Sequence, residues 1–309
     1  MGFVLHDFYA IGHITNDLHP HPHVGGGVTY AAVVAKRLGL STHIITKCPP
    51  DSPYIQELEN LGITIHRLPV REKKFENLYT SFDNRYDEMG NRTQLCPDKQ
   101  EDITRADIPN FPDIPKGSHI LLAPVIGEID QELFSLLSQK GDVALIPQGY
   151  FRQRQPDSSI KNVPLEDPSF FSFSKTTILS NEDIAFGDKK NYLEELIETC
   201  PVVIETQGEN GSIIFQKGQQ SLHIPAFHLS ANEIIDLTGA GDCYAAAFLV
   251  GIFQGKTLKE AGHFASLYAA LKISGLGGKG VGLVTIPTKK QVDEYIRAHS
   301  TRMDAFYKN

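Results

Sequence analysis

A run of small residues leads directly into an apolar stretch at residues 236–248, which reads DLTGAGDCYAAAF. Because glycine and alanine carry little or no side chain, the backbone N–H groups of Ala240, Gly241 and Asp242 can converge, unshielded, at the start of a helix. The positive end of the helix dipole strengthens the attraction for negative charge. The spacing therefore predicts an anion hole, in which Asp242 is either a helix N-cap or a carboxylate that accepts a proton.

Three consecutive glycines, Gly25, Gly26 and Gly27, precede a second stretch of small and apolar residues. Glycine permits backbone conformations and close approaches to a ligand that other residues do not. The glycines therefore indicate either a flexible turn before a helix or a place where a ligand contacts the backbone. Asp17, a short distance upstream, could bind hydroxyl groups or occupy a turn of its own.

A third polar segment, residues 180–184, follows an apolar strand and reads SNEDI. In proteins Mg²⁺ binds through one or two carboxylates and keeps several of its waters. Glu182 and Asp183 are therefore candidate ligands for a hydrated magnesium ion. The alternative is that the same acids form the solvated start of a helix.

Two further segments place polar residues or glycines directly after predicted strands. Gln148 and Arg152 follow one strand, and an arginine there could hold a phosphate by a forked contact or lie on the surface. Another strand is followed by three residues of a turn that could approach a ligand closely or simply connect a hairpin: Thr206, Gly208 and Gly211.

Taken in this order, the motifs resemble the signature of the ribokinase/PfkB carbohydrate kinase family. The TGAGD string at residues 238–242 carries most of the likeness, and residues 25–39, GGGVTYAAVVAKRLG, support it over fifteen positions. The resemblance extends over residues 12–296 and implies that Asp242 takes a proton from the substrate hydroxyl. The charge on the transferred phosphoryl group would then be stabilised by three residues: Gly239, Ala240 and Gly241.

The same resemblance implies which residues form the substrate side of the site. They are Asp17, Gly25, Gly26, Tyr30, Gln148 and Arg152. Tyr30 stands where the family usually has Asn, and its aromatic face and single hydroxyl favour a compact polyol ring over a long phosphorylated sugar. Together, Tyr30, Arg152 and residues 127–129 make the chain more similar to the myo-inositol kinase-like branch than to ribokinase.

On the nucleotide side, the resemblance implies ATP and Mg²⁺ as cofactors. The residues implied to bind the nucleotide are Asn181, Thr206, Gly208, Gly211, Ala269 and Gly278. The family's Asn-x-x-Glu motif, which orders magnesium through water and phosphate, has two possible registers here. With Asn181 as the Asn, Ile184 stands in place of the Glu; with Ser180 in that place, Asp183 is the acid. Both registers stay open.

Strands and helices alternate along most of the chain. Strands are predicted at 8–14, 42–46, 63–67, 119–123, 143–146, 177–180, 202–206, 212–216 and 220–224; helices are predicted at 25–38, 54–61, 130–139, in the 160s, and at 190–198, 242–254, 258–273 and 288–299. Residues 72–96 instead predict a hairpin of two alternating strands around a Gly90-Asn91 turn.

This alternation implies parallel strands with helices on both faces. The predicted fold class is α/β: a single ribokinase-like three-layer domain over residues 1–309, with a mostly parallel central sheet and a small β lid at 65–96. An exposed β face can cover a site or pair with another subunit, so a monomer and a homodimer are both compatible with the sequence.

Composition restricts the partners of the chain. The sequence of 309 residues has 37 Asp and Glu against 29 Lys and Arg, a net charge of −8, and no block of basic residues. Nucleic acid, whose binding depends on phosphate neutralisation, is therefore not expected as a partner. No uninterrupted apolar run reaches the length of a membrane helix, and four separated cysteines fit a reducing cytoplasm.

Alternating histidines, His19, His21 and His23, precede the glycines. Their spacing suggests metal binding, but no acidic partner accompanies them, so a polar loop on the substrate side is the preferred interpretation.

The sequence therefore predicts an ATP-dependent and magnesium-dependent kinase that phosphorylates a hydroxyl group of a small sugar or polyol. A nucleoside kinase of the same family is the alternative among enzymes, because Tyr30, Phe75, Tyr79 and Phe82 could stack on a base. A catalytically silent sensor of sugars or nucleotides is the alternative from another class. The intact Asp242 disfavours it, since a sensor needs no proton acceptor.

Overall fold

The computed structural model describes residues 7–19, 21–86, 92–165, 167–186 and 189–308. These residues contain fifteen strands: β1 (Asp7–Ile11), β2 (Thr15–Asp17), β3 (His23–Gly25), β4 (Ser41–Thr46), β5 (Thr64–Arg67), β6 (Thr80–Tyr86), β7 (Arg92–Leu95), β8 (Ser118–Leu122), β9 (Gly141–Leu145), β10 (Arg152–Arg154), β11 (Ile160–Asn162), β12 (Thr176–Ser180), β13 (Val202–Thr206), β14 (Ser212–Gln216) and β15 (Leu222–Ile224). The same residues contain eight α-helices: α1 (Gly27–Arg37), α2 (Pro53–Asn60), α3 (Glu132–Leu137), α4 (Lys189–Thr199), α5 (Ala240–Phe253), α6 (Leu258–Ile273), α7 (Lys289–Ala298) and α8 (Ser300–Lys308).

Nine strands form the large sheet, in the order β15-β14-β13-β12-β9-β8-β1-β4-β5. Pairing is parallel from β13 to β5, and antiparallel where β14 and β15 extend the edge. After β1 the chain builds one side of the sheet through β4 and β5, and then crosses to the other side at β8. The reversal places a topological switch point at the carboxyl ends of β1 and β8, where open α/β sheets bind ligands.

Alternate residues of the central strand β1 face opposite helical layers. Phe8 and Ala10 belong to the apolar cluster that packs under α1, α5 and α6, whereas Tyr9 and Ile11 belong to the cluster under α3 and α4. Side chains alternate in this way because a strand has a period of two residues. The three-layer α/β fold expected from the sequence is therefore confirmed.

A second, four-stranded sheet has the order β3-β2-β6-β7. Strand β2 pairs antiparallel with β3 and parallel with β6, and β6 pairs antiparallel with β7. The predicted hairpin of residues 72–96 is thus present as β6 and β7, while its predicted Gly90-Asn91 turn lies outside the described residues. Because β2 and β3 come from the segment before α1, this sheet is not formed by one insertion alone.

Two sequence expectations about these elements are wrong. The predicted lid at 65–96 starts too early, because Ile65 lies in β5 and pairs with Ile44 in the large sheet. The helix predicted in the 160s is replaced by β11, which pairs with β10, and by a short 3₁₀ turn at Ser169–Phe173. Pro164 and Pro168 explain the second error, since proline lacks a backbone N–H and clashes with the preceding helical turn.

The described helices include none that is both long enough and apolar enough to cross a membrane.

Candidate active site

The carboxyl end of β1 brings the two sheets together around one cleft. Gly12 follows β1 with φ of 150°, and a Cβ added there would lie 2.8 Å from the carbonyl oxygen of Ala123, next to the end of β8. Only glycine fits so close an approach. The chain then continues through His13 and Ile14 into β2 of the small sheet. The small sheet is therefore attached directly at the switch point of the large one.

The anion-hole turn, defined as residues 237–241, ends at the first residues of α5. Gly239 is the N-cap of α5 in the left-handed conformation, with φ of 70°, and no side chain caps the helix. The first N–H groups of a helix have no helical carbonyl to bond, so an uncapped start presents them to a ligand. A Cβ added at Gly241 would meet no described atom within 4 Å. The turn predicted from the sequence thus opens toward free space.

Helix α6, which packs beside α5, shows the contrast. Its N-cap Thr257 accepts a hydrogen bond from the N–H of Glu260, and the Glu260 carboxylate accepts one from the N–H of Thr257. This reciprocal capping box satisfies donors that α5 leaves unsatisfied by side chains. The open start of α5 is therefore a property of that helix and not of the local architecture in general.

Asp242 lies in the first turn of α5, facing the start of α1. A Cβ added at Gly27 would come within 2.9 Å of its Oδ1 atom. Burial raises the pKa of the Asp242 carboxyl to about 6; the carboxylates of Asp183 and Asp17 raise it too, while Arg152 lowers it. A carboxyl with a pKa near the working pH is suited to accept a proton.

Asp17 and Gly25 form the side of the cleft that belongs to the small sheet. A Cβ added at Gly25 would lie 2.4 Å from Oδ2 of Asp17, so the carboxylate rests directly on the glycine backbone. The hydroxyl of Thr15 donates a hydrogen bond of 2.9 Å to Oδ1 of Asp17. Gly26, with φ of 95°, caps the start of α1 beside them. The structure brings these predicted substrate residues together with Asp242.

Tyr30 occupies a different place from the one expected. Its side chain is almost completely buried, and a Cβ added at Gly239 would lie 2.4 Å from its ring. The Tyr30 hydroxyl has no hydrogen-bond partner among the described residues. Tyr30 therefore lies beneath the anion-hole turn rather than at the surface of the substrate cleft, because the glycine at 239 leaves room for the ring there.

Gln148 also differs from the expectation. Its side-chain amide donates a hydrogen bond of 3.1 Å to Oδ1 of Asp183, whose Oδ2 accepts one of 2.9 Å from the N–H of Ser180. Asp183 is buried and contributes to the pKa of Asp242, whereas Glu182 is exposed. Of the two possible registers of the Asn-x-x-Glu motif, the one that starts at Ser180 therefore has its acid, Asp183, on the side of Asp242. Gln148 orients that acid.

Arg152 links the small sheet to Asp242. Its guanidinium donates a hydrogen bond of 3.1 Å to the carbonyl oxygen of Val125 and lies 5.7 Å from the ring centroid of Phe82, in β6. The positive charge is close enough to lower the pKa of Asp242. The predicted cation therefore lies in the cleft and not on the outer surface.

The predicted nucleotide residues of β12 and β13 lie side by side. Ser180 is in register with Thr206 at the ends of these parallel strands, and the N–H of Asn181 donates to the carbonyl oxygen of Thr206 at 2.9 Å. Gly208 and Gly211 follow with φ of 58° and 87°, values that favour glycine.

The other two predicted nucleotide residues belong to the α6 region. Ala269 lies on α6 and is partly buried against the core cluster. Gly278 lies in the loop after α6, where an added Cβ would come within 3.0 Å of Val284.

Two buried charged residues that shape the cleft were not predicted from the sequence. Glu128 is fully buried, and its carboxylate accepts hydrogen bonds from the N–H groups of His13 and Val125, which ties the ends of β1 and β8 together. Lys272 is fully buried on α6 and pairs with Asp236 at 2.7 Å. For Lys272 the available signal was a charged residue at an otherwise apolar position of a helix.

Among the described residues, no group of three or more His, Cys, Asp or Glu side chains is arranged to hold a metal ion. The alternating histidines His19, His21 and His23 therefore form no such site in this part of the chain. Asp183 and Asp242 together offer two carboxylates in one cleft, which fits a hydrated Mg²⁺ that takes most of its ligands from water and phosphate.

Comparison with known proteins agrees with this fold. The chain is 26% identical over 277 residues to the ribokinase of Bacillus subtilis (strain 168), covering 88% of this chain and 87% of the relative. It is 24% identical over 268 residues to the inositol 3-kinase of Arabidopsis thaliana, covering 82% and 68%. Among solved structures, a sulfate complex of a pyrophosphate-dependent kinase in the ribokinase family superposes with a TM-score of 0.73 at 20% identity, covering 93% of this chain and 99% of that one.

The family model described as pfkB family carbohydrate kinase matches residues 17–281. That span includes Asp17, the glycines before α1, the anion-hole turn and Asp242. The chain therefore belongs to the pfkB family of carbohydrate kinases, enzymes that transfer a phosphoryl group to an alcohol acceptor.

Proposed function

We propose that this chain transfers the terminal phosphoryl group of ATP to a hydroxyl group of a small sugar or polyol. One observation carries the proposal: Asp242, with a pKa raised by burial to about 6, lies in the first turn of a helix whose N-terminus has no side-chain cap. A proton acceptor and an anion hole are thus adjacent. Phosphoryl transfer requires both, together with accurate positioning.

In the proposed reaction, a carboxylate oxygen of Asp242 accepts the proton of the acceptor hydroxyl. The acceptor oxygen forms a bond to the terminal phosphorus of ATP, and the bond from that phosphorus to the bridging oxygen breaks, so ADP leaves. The N–H groups of Gly239 and Gly241 donate hydrogen bonds to the phosphoryl oxygens while negative charge is spread over them, whereas the N–H of Ala240 donates to the carbonyl oxygen of Leu237 within the turn. Gly241 leaves space on the cleft side for that group.

The acceptor would lie between Asp17 and Asp242. The Asp17 carboxylate, placed over Gly25, can accept hydrogen bonds from hydroxyl groups of a ring, and Arg152 lies over Phe82, the residue that pairs with Asp17 in the small sheet. Several polar groups around a small space suit a polyhydroxylated ring. The inositol 3-kinase relative supports a cyclic polyol as one candidate within this class.

Asp183, oriented by Gln148 and Ser180, would hold a hydrated Mg²⁺ together with the donor phosphates. When bound, the ion supplies positive charge that neutralises the phosphates. Because one structural relative is a pyrophosphate-dependent kinase, pyrophosphate is the second phosphoryl donor to test.

Three of the four aromatic residues that could have formed a base-binding sandwich are engaged elsewhere. The ring of Tyr79 packs on that of Tyr54 at 5.2 Å, and Phe82 is buried beneath Arg152. Tyr30 is buried under the anion-hole turn. These placements favour a sugar or polyol over a nucleoside as the acceptor.

The experiment is a phosphoryl-transfer assay with Mg²⁺, with ATP or pyrophosphate as donor, and with pentoses, hexoses, inositols and nucleosides as acceptors. We expect acceptor-dependent ADP formation with a member of the sugar and polyol group, abolished in the matched variant Asp242→Asn. Transfer to nucleosides alone would instead support a nucleoside kinase. Binding of a sugar or nucleotide with no transfer to any acceptor would support a sensor.

A further inference from the structure

Lys272 is a fully buried lysine near the end of α6. A buried ammonium group loses its hydration, which is costly unless an opposite charge and hydrogen bonds replace it. Its neighbours in the last two turns of α6 are largely apolar or small residues. A charged residue in such a place requires a specific partner.

All three acceptor oxygens of the Lys272 ammonium belong to Asp236, just before the anion-hole turn, and to Thr238, within it. Its Nζ donates to Oδ2 of Asp236 at 2.7 Å, to the carbonyl oxygen of Asp236 at 3.0 Å, and to the carbonyl oxygen of Thr238. A lysine ammonium has three N–H donors, so this set matches its full capacity. One carboxylate and two backbone carbonyls thus form an oxygen cage around a single cation.

The Asp236 carboxylate extends the same network. Its Oδ1 accepts a hydrogen bond of 2.9 Å from the N–H of Thr238, and its Oδ2 accepts one of 3.0 Å from the N–H of Gly282. Burial alone would raise the pKa of Asp236, but the hydrogen bonds and charge of Lys272 hold it below its ordinary value. The ion pair therefore connects three separate segments behind the turn.

The carbonyl orientation determines where the next amide points. The C=O of Thr238 and the N–H of Gly239 belong to one planar trans peptide group, in which they point in opposite directions. Because the Thr238 carbonyl is held inward on Lys272, the N–H of Gly239 is directed away from the cage. The ring of Tyr30, whose centroid lies 5.9 Å from Nζ of Lys272, supports Gly239 from below.

We propose that Lys272 is a positioning residue for phosphoryl transfer, a covalently attached cation that fixes the anion-hole turn so that its N–H groups face the phosphoryl group. The inference rests on the proposed function, because it assigns a role in that same site. It has a second consequence. A cage that the ammonium already fills leaves no place at this turn for a dissolved monovalent cation, so we expect activity to require none.

The first test uses the wild-type protein, which avoids any problem of folding. Phosphoryl transfer is measured with tetramethylammonium as the sole monovalent cation, and then with ammonium, sodium or potassium added at constant ionic strength. We expect rates that agree within about twofold. Activation by about fivefold or more by one of the small cations would overturn the inference, because it would mean that an essential cation site is still empty.

The second test removes the cation. Lys272→Ala opens the cage, and Lys272→Met combined with Asp236→Asn removes both buried charges so that no carboxylate is left unpaired. Loss of correct anion-hole geometry is expected to lower kcat about 100-fold, with the acceptor KM changed much less. Lys259→Met, an exposed lysine on the same helix, is the matched control and should keep the wild-type kcat.

Rescue distinguishes positioning from general stability. Ammonium or methylammonium should raise the kcat of Lys272→Ala at least tenfold. Tetramethylammonium, which is too large for the cage, should leave that kcat unchanged. A double variant that folds, as judged by circular dichroism, and retains kcat within twofold would overturn the inference while leaving the proposed function intact. If the wild type transfers phosphate to no acceptor, the proposed function fails, and this inference fails with it.

Discussion

Gly27, the first residue of α1, lies in contact with the carboxylate of Asp242, in the first turn of α5. A methyl group at position 27 would come within 2.9 Å of Oδ1, and within 3.3 Å of the Cβ of Ala123. The two helix starts therefore approach each other so closely that one of them must lack a side chain. This contact places the proton acceptor directly over the glycines that precede α1.

The first prediction concerns Gly27→Ala. Alanine favours a helix more than glycine does, so the free energy of unfolding should change by less than about 1 kcal/mol. The added methyl group would instead displace the Asp242 carboxylate, and a small misplacement of a reacting group can lower turnover about 100-fold. Steady-state kinetics and urea unfolding of the same preparation test this. A decrease in the free energy of unfolding as large as the free-energy equivalent of the lost turnover would contradict it.

The second prediction concerns pH. The ionised form of Asp242 is the form that can accept a proton, and burial raises its pKa to about 6. Activity should therefore rise tenfold per pH unit below about pH 6 and level off above it. Measurement of kcat/KM between pH 4.5 and 8, at saturating donor, tests the position of this limb.

Arg152 gives that prediction a control. Because its charge lowers the pKa of Asp242, Arg152→Gln should move the acidic limb to higher pH. Arg105→Gln, which removes an exposed arginine paired with Glu132 at 3.4 Å, should leave the limb in place. Equal pH profiles for the two variants would mean that Asp242 is not the group that titrates.

The glycine and TGAGD motifs were predictable because the residues that define them are adjacent in sequence. The left-handed Gly239 and the uncapped start of α5 follow from the small residues themselves. The role of Lys272 was not predictable in the same way. Its partners, Asp236 and Thr238, lie more than thirty residues away, and a single lysine in a helix does not show which carbonyl groups it will meet.

Tyr30 and residues 160–173 show two different reasons for error. The position of Tyr30 was assigned by its place in a motif, whereas its burial depends on Gly239, two hundred residues later, which leaves space for the ring. The helix expected in the 160s was predicted from alternation of elements, and the local effect of Pro164 and Pro168 outweighed that pattern. Long-range packing caused the first error and backbone chemistry the second.

The third prediction concerns Asp242→Asn. Turnover should fall about 1000-fold or more, because the amide cannot accept the proton, while ATP binding measured by calorimetry should change little. The substitution should also stabilise the fold at neutral pH. The folded-state pKa of Asp242 is raised above its unfolded value, so its favourable contribution is present below about pH 4 and is lost as the pH rises through about 6.

Urea unfolding at two pH values tests this stabilisation. At pH 7.5 the variant should be more stable than wild type by about 1–2 kcal/mol, a value reduced from the full shift because the side chain is partly exposed. At pH 4 the difference should largely disappear. A variant that is less stable than wild type at pH 7.5 would show that the ionised carboxylate is well satisfied in its site.

The fourth prediction concerns acceptor recognition by Asp17. Its carboxylate rests on Gly25 and is close enough to Asp242 to raise the pKa of that residue, so we expect it to accept hydrogen bonds from acceptor hydroxyls and to take no part in donor binding. Asp17→Ala should raise the acceptor KM about tenfold or more and leave the donor KM unchanged. Asp51→Ala, at an exposed position before α2, is the matched control.

Deoxy analogues extend this test to individual hydroxyl groups. A site built to hydrogen-bond a hydroxyl rejects an analogue that lacks it, because its own buried groups are then left unpaired. Wild type should therefore use each deoxy acceptor poorly, and Asp17→Ala should lose discrimination only against the analogue that lacks the hydroxyl bound by Asp17. That pattern would identify the orientation of the ring between Asp17 and Asp242. Efficient phosphorylation of fructose 1-phosphate or of a nucleoside, with no reaction of inositols or free sugars, would contradict a cleft built for a compact polyol, since the acceptor would then carry a group for which Asp17 supplies no contact.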